Sequence, residues 1–277
     1  MSTCSLSVLD QISVILNRGG CPAFSGTKAC REYRLRAVRS GGALLGIPLK
    51  GAKRIHSGSA VWEVAPGAAL LVCRDCSFDN ENIPDPVSGD FLTAILTFPD
   101  TVLNVARTLV GQEPLPEPAS SRAIIGVVSL EQIVGPLETY LGVGEQPSFL
   151  LQHALVGLVL HLYGLGHRAL LQLSRPRLAD RICELISKDP SREWRSAELE
   201  SLLAMSGPSL RRQLAFEKTS LRELLAEARL SQALWMLQTT RLPIKTVAAR
   251  SGYSSVSSFV RRFHLRYGVE PSKVSCT

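Results

Sequence analysis

The chain has 277 residues, of which 45% are hydrophobic and 20% are charged, and its formal net charge is +7 at pH 7. This composition excludes wholesale disorder, and the length predicts two domains, each large enough for its own core. Because a basic excess suits either nucleic acid or an anionic membrane, its position along the chain is more informative than its total.

The basic excess lies in the last third of the chain. Residues 178–277 hold 16 Lys and Arg against 10 Asp and Glu, whereas the rest of the chain holds 15 against 14. This asymmetry predicts one domain that meets a polyanion and another that does not.

The first residues indicate a reduced compartment. Residues 1–20 contain Asp10 and lack the early basic residues of a secretory signal peptide. The seven cysteines are an odd number, which does not suggest a complete set of disulfides. We therefore expect a cytoplasmic protein.

Short strands are predicted between residues 41 and 98. Apolar runs at 43–49, 68–73 and 91–98 are separated by turn signals such as Pro66-Gly67. Strands at this spacing predict a small antiparallel sandwich or barrel. Helices are then predicted over 99–110, 130–141 and 149–173. Residues 1–173 are thus expected to form one domain, which gives the chain an α+β class.

An apolar stretch at 146–167 contains no Asp, Glu, Lys or Arg. A membrane span is one interpretation. Gln152, two histidines and three glycines favour the other, a buried or dimer-forming helix pair. The dimerisation candidates are Leu150, Leu151, Leu155, Leu158 and Leu162.

Residues 178–277 are predicted to form an all-α domain after a polar hinge at 174–177, and they end in a helix-turn-helix. Pro243 fixes a helix start, and Gly252 permits the left-handed turn that ends this helix. Serines from residue 254 onward can cap the next helix. Phe259 and Phe263 bury its inner face and leave Arg261 outside. A surface of small hydroxyls and arginines suits the major groove of DNA.

The same pattern occurs upstream. A helix with Leu199 and Leu203 inward leads to a turn at Ser206-Gly207-Pro208. The helix that follows, 209–216, leaves Arg211 and Arg212 outside. A helical connector over 220–240 spans about 30 Å at 1.5 Å per residue, close to the ~34 Å pitch that separates adjacent major grooves.

In these residues, over 178–274, the chain resembles the AraC family of bacterial transcription regulators. The motifs in the second helix-turn-helix and in the helix before it are Arg229-Leu230-x-x-Ala233, Leu237, Ile244-x-x-Val247-Ala248, Ser251-Gly252-Tyr253, Phe259-x-Arg261-x-Phe263 and Gly268-x-x-Pro271. The motifs in and after the first helix-turn-helix are Ser206-x-x-x-Leu210-x-Arg212 and Ser220-x-x-Glu223-Leu224-Leu225.

The resemblance implies two reading helices set in adjacent major grooves of double-stranded DNA. It also implies a transcription regulator, more often an activator, that works with RNA polymerase. The DNA-contacting residues it implies are Ser209, Arg211, Arg212, Ser255, Ser257, Ser258 and Arg261. Two positions depart from the family pattern: Lys218 stands where glycine is usual, and Glu270 stands where a small residue is usual.

Part of the first domain is similar to the amino-terminal domain of one AraC subgroup, through Gly51-x-Lys53-Arg54 and Pro66-Gly67-x-x-Leu70. This similarity implies a cupin-like barrel that binds a small-molecule or protein effector and pairs two chains into a homodimer. A signal acting on the barrel would then change promoter occupancy.

Two other functions stay open: a membrane-associated regulator, and a ligand-binding barrel with a helical tail. Catalytic, metal-binding and cofactor-binding residues are not expected. The Cys73-x-x-Cys76 pair lacks a second pair, and His56 has only Glu63 as a nearby acid in the sequence. A redox role for the two cysteines is a hypothesis.

Overall fold

The computed structural model describes residues 3–17, 24–111, 124–143, 148–172 and 177–275. The chain divides into two compact units, Met1–Leu173 and Ser174–Thr277. The predicted hinge at 174–177 lies outside the described residues except for Arg177.

The first unit contains two antiparallel sheets. The five-stranded sheet has the strand order β1-β8-β3-β6-β9, and the four-stranded sheet has the order β2-β7-β4-β5. The predicted barrel is therefore observed as two separate sheets rather than one closed sheet. The strands are β1 (Phe24–Ala29), β2 (Tyr33–Arg39), β3 (Leu44–Lys50), β4 (Ala52–Ser57), β5 (Ala60–Val64), β6 (Ala68–Val72), β7 (Ser77–Ile83), β8 (Phe91–Thr97) and β9 (Ile125–Ser129).

The five-stranded sheet is buried on both faces. Along β6, Ala69 and Leu71 belong to a core shared with helices, whereas Leu70 and Val72 belong to a second core shared with the four-stranded sheet. Neighbouring strand residues point to opposite faces, so a strand that is buried on both faces has a continuous apolar sequence, as β6 does. The unit therefore has three layers: helices, the five-stranded sheet and the four-stranded sheet.

In the described residues, four helices cover the outer face of the five-stranded sheet: α1 (Thr3–Asn17), α2 (Asp100–Val110), α3 (Leu130–Val143) and α4 (Ser148–Gly164). The helix predicted over 149–173 ends earlier than expected, and a turn at Gly166, with φ of +100°, leads into a 3₁₀ helix, Arg168–Leu171. None of the described helices is both long enough and apolar enough to span a membrane.

The dimerisation candidates on α4 mostly face their own core. Leu155, Leu158 and Leu162 are 4%, 0% and 0% exposed, and Leu151 packs partly buried against the same cluster. Leu155, Leu158 and Leu162 therefore leave little apolar surface for the predicted dimer contact, since it is covered within the unit. Only Leu150 among the candidates is exposed.

The second unit consists of seven helices in its described residues, 177–275. The first helix packs on the fourth, and leucines and isoleucines from the first four helices form one core. The helices are α5 (Leu178–Lys188), α6 (Ser196–Leu203), α7 (Gly207–Phe216), α8 (Leu221–Thr239), α9 (Ile244–Arg250), α10 (Val256–Tyr267) and α11 (Pro271–Val274).

Candidate nucleic-acid interface

Helices α6 and α7 form the first helix-turn-helix. The turn between them begins at Ala204, before the predicted start at Ser206. Ala204 adopts the left-handed conformation, with φ of +52°, and ends α6. Gly207 and Pro208 then begin α7 instead of making the turn, since the side chain of Ser206 caps that helix by accepting the Ser209 amide N–H. A proline is well suited to the first turn of a helix, where an amide donor is not needed.

Helices α9 and α10 form the second helix-turn-helix. Gly252 is left-handed, with φ of +79°, as predicted. The side chain of Ser255 caps α10 by accepting the Ser258 amide N–H. Phe259 and Phe263 are fully buried, and their ring centroids lie 5.6 Å apart. Aromatic packing therefore fixes α10 and turns its polar face outward.

The outer faces of α7 and α10 carry the predicted side chains. Arg211, Arg212 and Arg261 are exposed, and none of the three has an ion pair with another described residue. The four serines Ser209, Ser255, Ser257 and Ser258 are exposed or half-buried. Ser255 and Ser257 share a hydroxyl–hydroxyl hydrogen bond of 2.8 Å. These faces offer unneutralised cations and small donors, the chemistry that suits phosphates and guanine edges.

Helix α8 joins the two helix-turn-helix motifs of the second unit. It has 19 residues and is thus about 28 Å long at 1.5 Å per residue. The side chain of Ser220 caps its start, because Ser220 accepts the Glu223 amide N–H, and the Ser220 hydroxyl also donates to the carboxylate of Glu223. An Arg266–Glu227 ion pair ties α10 to α8. Both contacts lie in the first half of the connector.

A basic cleft between α8 and the start of α10 was not predicted. Its volume is about 600 Å³, and its lining includes Arg222, Arg229, Arg262 and Tyr253. Arg229 donates to the carbonyl oxygens of Pro190 and Arg192, so it mainly fixes structure. Arg222 and Arg229, seven apart on one helix face, were the sequence signal that could have revealed the cleft.

Lys218 lies at the end of the first reading helix with φ of +57°. The left-handed backbone explains why glycine is usual there in the family. We expect Lys218→Gly to raise the free energy of unfolding of the second unit by about 1 kcal/mol, because a side chain in this conformation is strained. Ala215→Gly in α7 is the matched control, and chemical denaturation should show it to be destabilising. A loss of stability in Lys218→Gly would contradict the strain argument.

Glu217 fastens the start of α5 to the end of α7. Its carboxylate accepts the amide N–H groups of Leu178 and Ala179, each at 2.9 Å. Burial alone would raise the pKa of Glu217, but these two hydrogen bonds, with Gln213 and Arg177, hold it below its ordinary value. A carboxylate at a helix N-terminus also meets the positive end of the helix dipole.

Glu217→Ala is expected to lower the free energy of unfolding by about 1–3 kcal/mol, since two amide donors lose their partner. The folded-state pKa is depressed, so the contribution of Glu217 is complete above its unfolded pKa and is lost as pH falls through the folded pKa. The free energies of unfolding of Glu217→Gln and of the parent chain, measured by denaturation at a series of acidic pH values, should therefore converge as the pH falls. Glu184→Gln, at an exposed position of α5, is the control, and parallel curves for Glu217→Gln would refute the role.

His56, Cys73 and Cys76 are the residues that the sequence offered for metal or thiol chemistry. No group of three or more His, Cys, Asp and Glu in the described residues could hold a metal ion. His56 faces Glu81 at 3.6 Å, whereas Glu63 pairs with Arg54. Burial, with a contribution from Cys76, raises the pKa of Cys73 to about 12, and burial raises that of Cys76 to about 11. Because the thiolate is the reactive form, both cysteines are poorly disposed to redox sensing.

Comparisons with known proteins identify a helix-turn-helix domain in the second unit. A protein-family profile described as a helix-turn-helix domain matches residues 199–275. The chain is 36% identical over 104 residues to the HTH-type transcriptional regulator GadX of Escherichia coli (strain K12), covering 38% of each protein. It is 30% identical over 95 residues to the virulence regulon transcriptional activator VirF of Shigella flexneri, covering 34% of this chain and 36% of VirF. The chain thus matches well under half the length of these relatives.

Solved structures are similar to this chain over both of its units. An apo ToxT variant from Vibrio cholerae strain SCE256 has a TM-score of 0.62 at 17% identity, and the match covers 91% of this chain and 97% of that one. ToxT from Vibrio cholerae O395 bound to (E)-4-(8-methylnaphthalen-1-yl)but-3-enoic acid has a TM-score of 0.60, also at 17% identity. At this identity the likeness shows a shared two-domain fold.

Proposed function

We propose that this chain, whose carboxy-terminal domain is an AraC-type helix-turn-helix domain, is a sequence-specific DNA-binding regulator of transcription. The observation that carries the proposal is the pair of capped reading helices, α7 and α10, which bury their apolar faces and expose Arg211, Arg212 and Arg261. A helix of this kind fits the major groove with its first turns toward the bases.

Both reading helices engage one duplex at once in this proposal. The 19-residue connector α8 is about 28 Å long, which is comparable with the ~34 Å spacing of adjacent major grooves. The arginines supply guanine or phosphate contacts, and the capping serines bring helix amides close to phosphates. The proposed DNA-contacting set is Ser209, Arg211, Arg212, Ser255, Ser257, Ser258 and Arg261.

The regulator is further proposed to activate transcription together with RNA polymerase, as a homodimer in the cytoplasm. VirF, which is similar over 95 residues, is named a transcriptional activator, and this supports the direction of regulation. Sedimentation equilibrium of the full chain tests the dimer, and a monomer at micromolar concentration would refute it. Loss of reporter expression on deletion of the gene tests activation.

The signal is proposed to act on the first unit. Structures with the same two-domain fold were solved with an unsaturated fatty acid and with a substituted butenoic acid bound to ToxT. By analogy, a carboxylic acid is the effector class that we propose here. Its binding would shift the chain between states with different affinity for DNA, by as much as its affinity differs between them.

Salt-dependent DNA binding by the full chain tests the proposal. Genome-wide mapping of bound sites supplies the promoter fragment, and its affinity is then measured over a series of salt concentrations. Several phosphate contacts should make the logarithm of the affinity fall linearly with the logarithm of salt concentration. A chain that binds no mapped fragment at low ionic strength would refute the function.

A further inference from the structure

The basic cleft of the second unit adjoins the surface that is proposed to contact DNA. Its volume is about 600 Å³, and its lining includes Ser255 and Ser258 of α10, both in the proposed DNA-contacting set. Another part of the lining comes from α8, between Leu221 and Arg229. The cleft is therefore continuous with the second reading helix, but it also includes residues of the connector.

Three arginines line the cleft, and two of them are free to bind an anion. Arg229 is occupied, because its guanidinium donates to the carbonyl oxygens of Pro190 and Arg192. Arg222 is exposed and Arg262 is half-buried, and neither has a hydrogen bond or an ion pair with another residue that the structure describes. The cleft lining, all of it within the described residues, contains no Asp or Glu. A cavity with free cations and no carboxylate attracts anions.

The rest of the lining combines hydroxyl groups with apolar side chains. The hydroxyls of Ser254 and Ser258 can donate hydrogen bonds to phosphate oxygens. Leu221 and Leu225 are partly buried and offer an apolar surface beside the arginines. A nucleic-acid backbone alternates charged phosphates with less polar sugar rings, so it matches both kinds of lining.

The position of the cleft in the chain indicates which part of a duplex reaches it. Arg222 lies in the first turn of α8, which begins shortly after α7 ends, whereas Arg262 lies on α10 itself. A duplex that offers adjacent major grooves to α7 and α10 presents the backbone between those grooves to the surface that joins the two helices. Helix α8 is that joining element, so its arginine is placed to meet this part of the backbone.

We propose that the cleft binds a phosphate of the DNA backbone between the two major grooves, held by Arg222 and Arg262. The connector helix α8 thereby contacts DNA in addition to the two reading helices. The guanidinium groups donate to the phosphate oxygens, and Ser258 adds a hydroxyl donor. Since a phosphate contact carries no sequence information, the site fixes the register of the chain on the duplex. The site rests on the proposed DNA-binding function.

Single-phosphate replacement in a mapped promoter fragment tests the site. Each phosphate is replaced in turn by an uncharged methylphosphonate, and the affinity of the full chain is measured by fluorescence anisotropy. One or two adjacent replacements between the two grooves should weaken binding by the parent chain about tenfold, because charge-assisted hydrogen bonds are lost. In Arg222→Ala or Arg262→Ala, the same replacements should weaken binding less than about twofold, since the contact is already absent.

Arg222→Ala should weaken binding to the mapped site and to a scrambled fragment equally, by about tenfold. It should also reduce the slope of the logarithm of affinity against the logarithm of salt concentration by about one. Arg181→Ala is the matched control, because Arg181 is exposed on α5 and does not line the cleft. This control should change the affinity by less than about threefold.

Thermal unfolding separates binding from structural roles. Arg222→Ala and Arg262→Ala should each change the melting temperature of the full chain by no more than about 3 °C, because neither side chain has a described partner. Arg229→Ala should lower the melting temperature further, since the carbonyl oxygens of Pro190 and Arg192 lose their donor.

A free phosphate is the alternative occupant of the cleft. Inorganic phosphate at millimolar concentration should leave the melting temperature of the full chain unchanged, because only a duplex held by both reading helices supplies a phosphate at high effective concentration. A rise in melting temperature that is lost in Arg222→Ala would assign the cleft to free phosphate and overturn the proposal.

The cleft and the DNA-binding function fail in different ways. If the full chain binds mapped fragments, but each methylphosphonate weakens the parent chain and both arginine variants equally, the cleft proposal is wrong and the DNA-binding function stands. If Arg222→Ala binds as tightly as Arg181→Ala, the cleft proposal is also wrong. If no mapped fragment is bound at low ionic strength, both proposals are wrong.

Discussion

Replacing both Arg212 and Arg261 with alanine should weaken binding to a mapped promoter site by about 2–6 kcal/mol, or roughly 30- to 25,000-fold. Each arginine can form a bidentate pair with guanine that contributes about 1–3 kcal/mol of discrimination. The two residues lie on different helices, α7 and α10, and share no described partner, so their effects should add. Fluorescence anisotropy at fixed salt measures the change.

Lys188→Ala is the matched control for charge, because Lys188 is an exposed cation at the end of α5 and belongs to neither reading helix. It should change the affinity by less than about threefold, through charge alone. If each arginine variant weakens a scrambled DNA fragment as much as the mapped site, the side chain contacts phosphate rather than a base. An unchanged affinity in the double variant would contradict the proposed interface.

Phe263→Ala should cost about 3–5 kcal/mol of unfolding free energy, the usual effect of removing a buried phenylalanine from a packed core. The Phe263 ring is fully buried, and its centroid lies 5.6 Å from that of Phe259 and 4.8 Å from that of Tyr267. The aromatic series holds α10 in place, so the variant should also lose specific DNA binding. Urea denaturation followed by circular dichroism measures the stability.

Leu265→Ala tests whether that cost comes from burial. Leu265 is two residues further along the same helix and is 77% exposed. Its replacement should change stability by no more than about 0.5 kcal/mol. If the two variants lose similar stability, packing of Phe263 does not hold the second helix-turn-helix together.

The helical unit was largely predictable because its local signals agree with one another. Gly252 was expected to be left-handed and is, and the apolar spacing of Phe259 and Phe263 fixed the buried face of α10. The departure of Lys218 from the family pattern also has a local cause, because Lys218 has a left-handed backbone, which suits glycine. Each of these features depends on residues within one or two helical turns.

The first unit was less predictable because its arrangement depends on distant contacts. Helix α4 is apolar on nearly every side, and an all-round apolar helix does not reveal which face meets the core and which meets a partner. For the same reason the burial of Leu155 and Leu158 within their own unit was not predicted. The division into two sheets instead of one barrel follows from strand pairing across the whole unit, such as β1 with β8.

The candidate site shows the same division between local and distant information. The exposed arginines of α7 and α10 follow from helical periodicity, whereas the basic cleft at Arg222 and Arg262 needs the packing of α8 against α10. In the sequence, Lys53 stands out only as part of the Gly51-x-Lys53-Arg54 motif. Its burial between two sheets depends on the pairing of β4 with β7 and on the approach of Phe91 from the other sheet.

Selection of bound sites from a random pool of duplex DNA by the full chain tests the central claim most directly. If α7 and α10 read adjacent major grooves, the selected sequences should contain two conserved blocks whose centres lie about 10 base pairs apart within the footprint of each chain. Arg212→Ala should erase one block, and Arg261→Ala the other. A single conserved block, or a pool with no preferred sequence, would contradict the account.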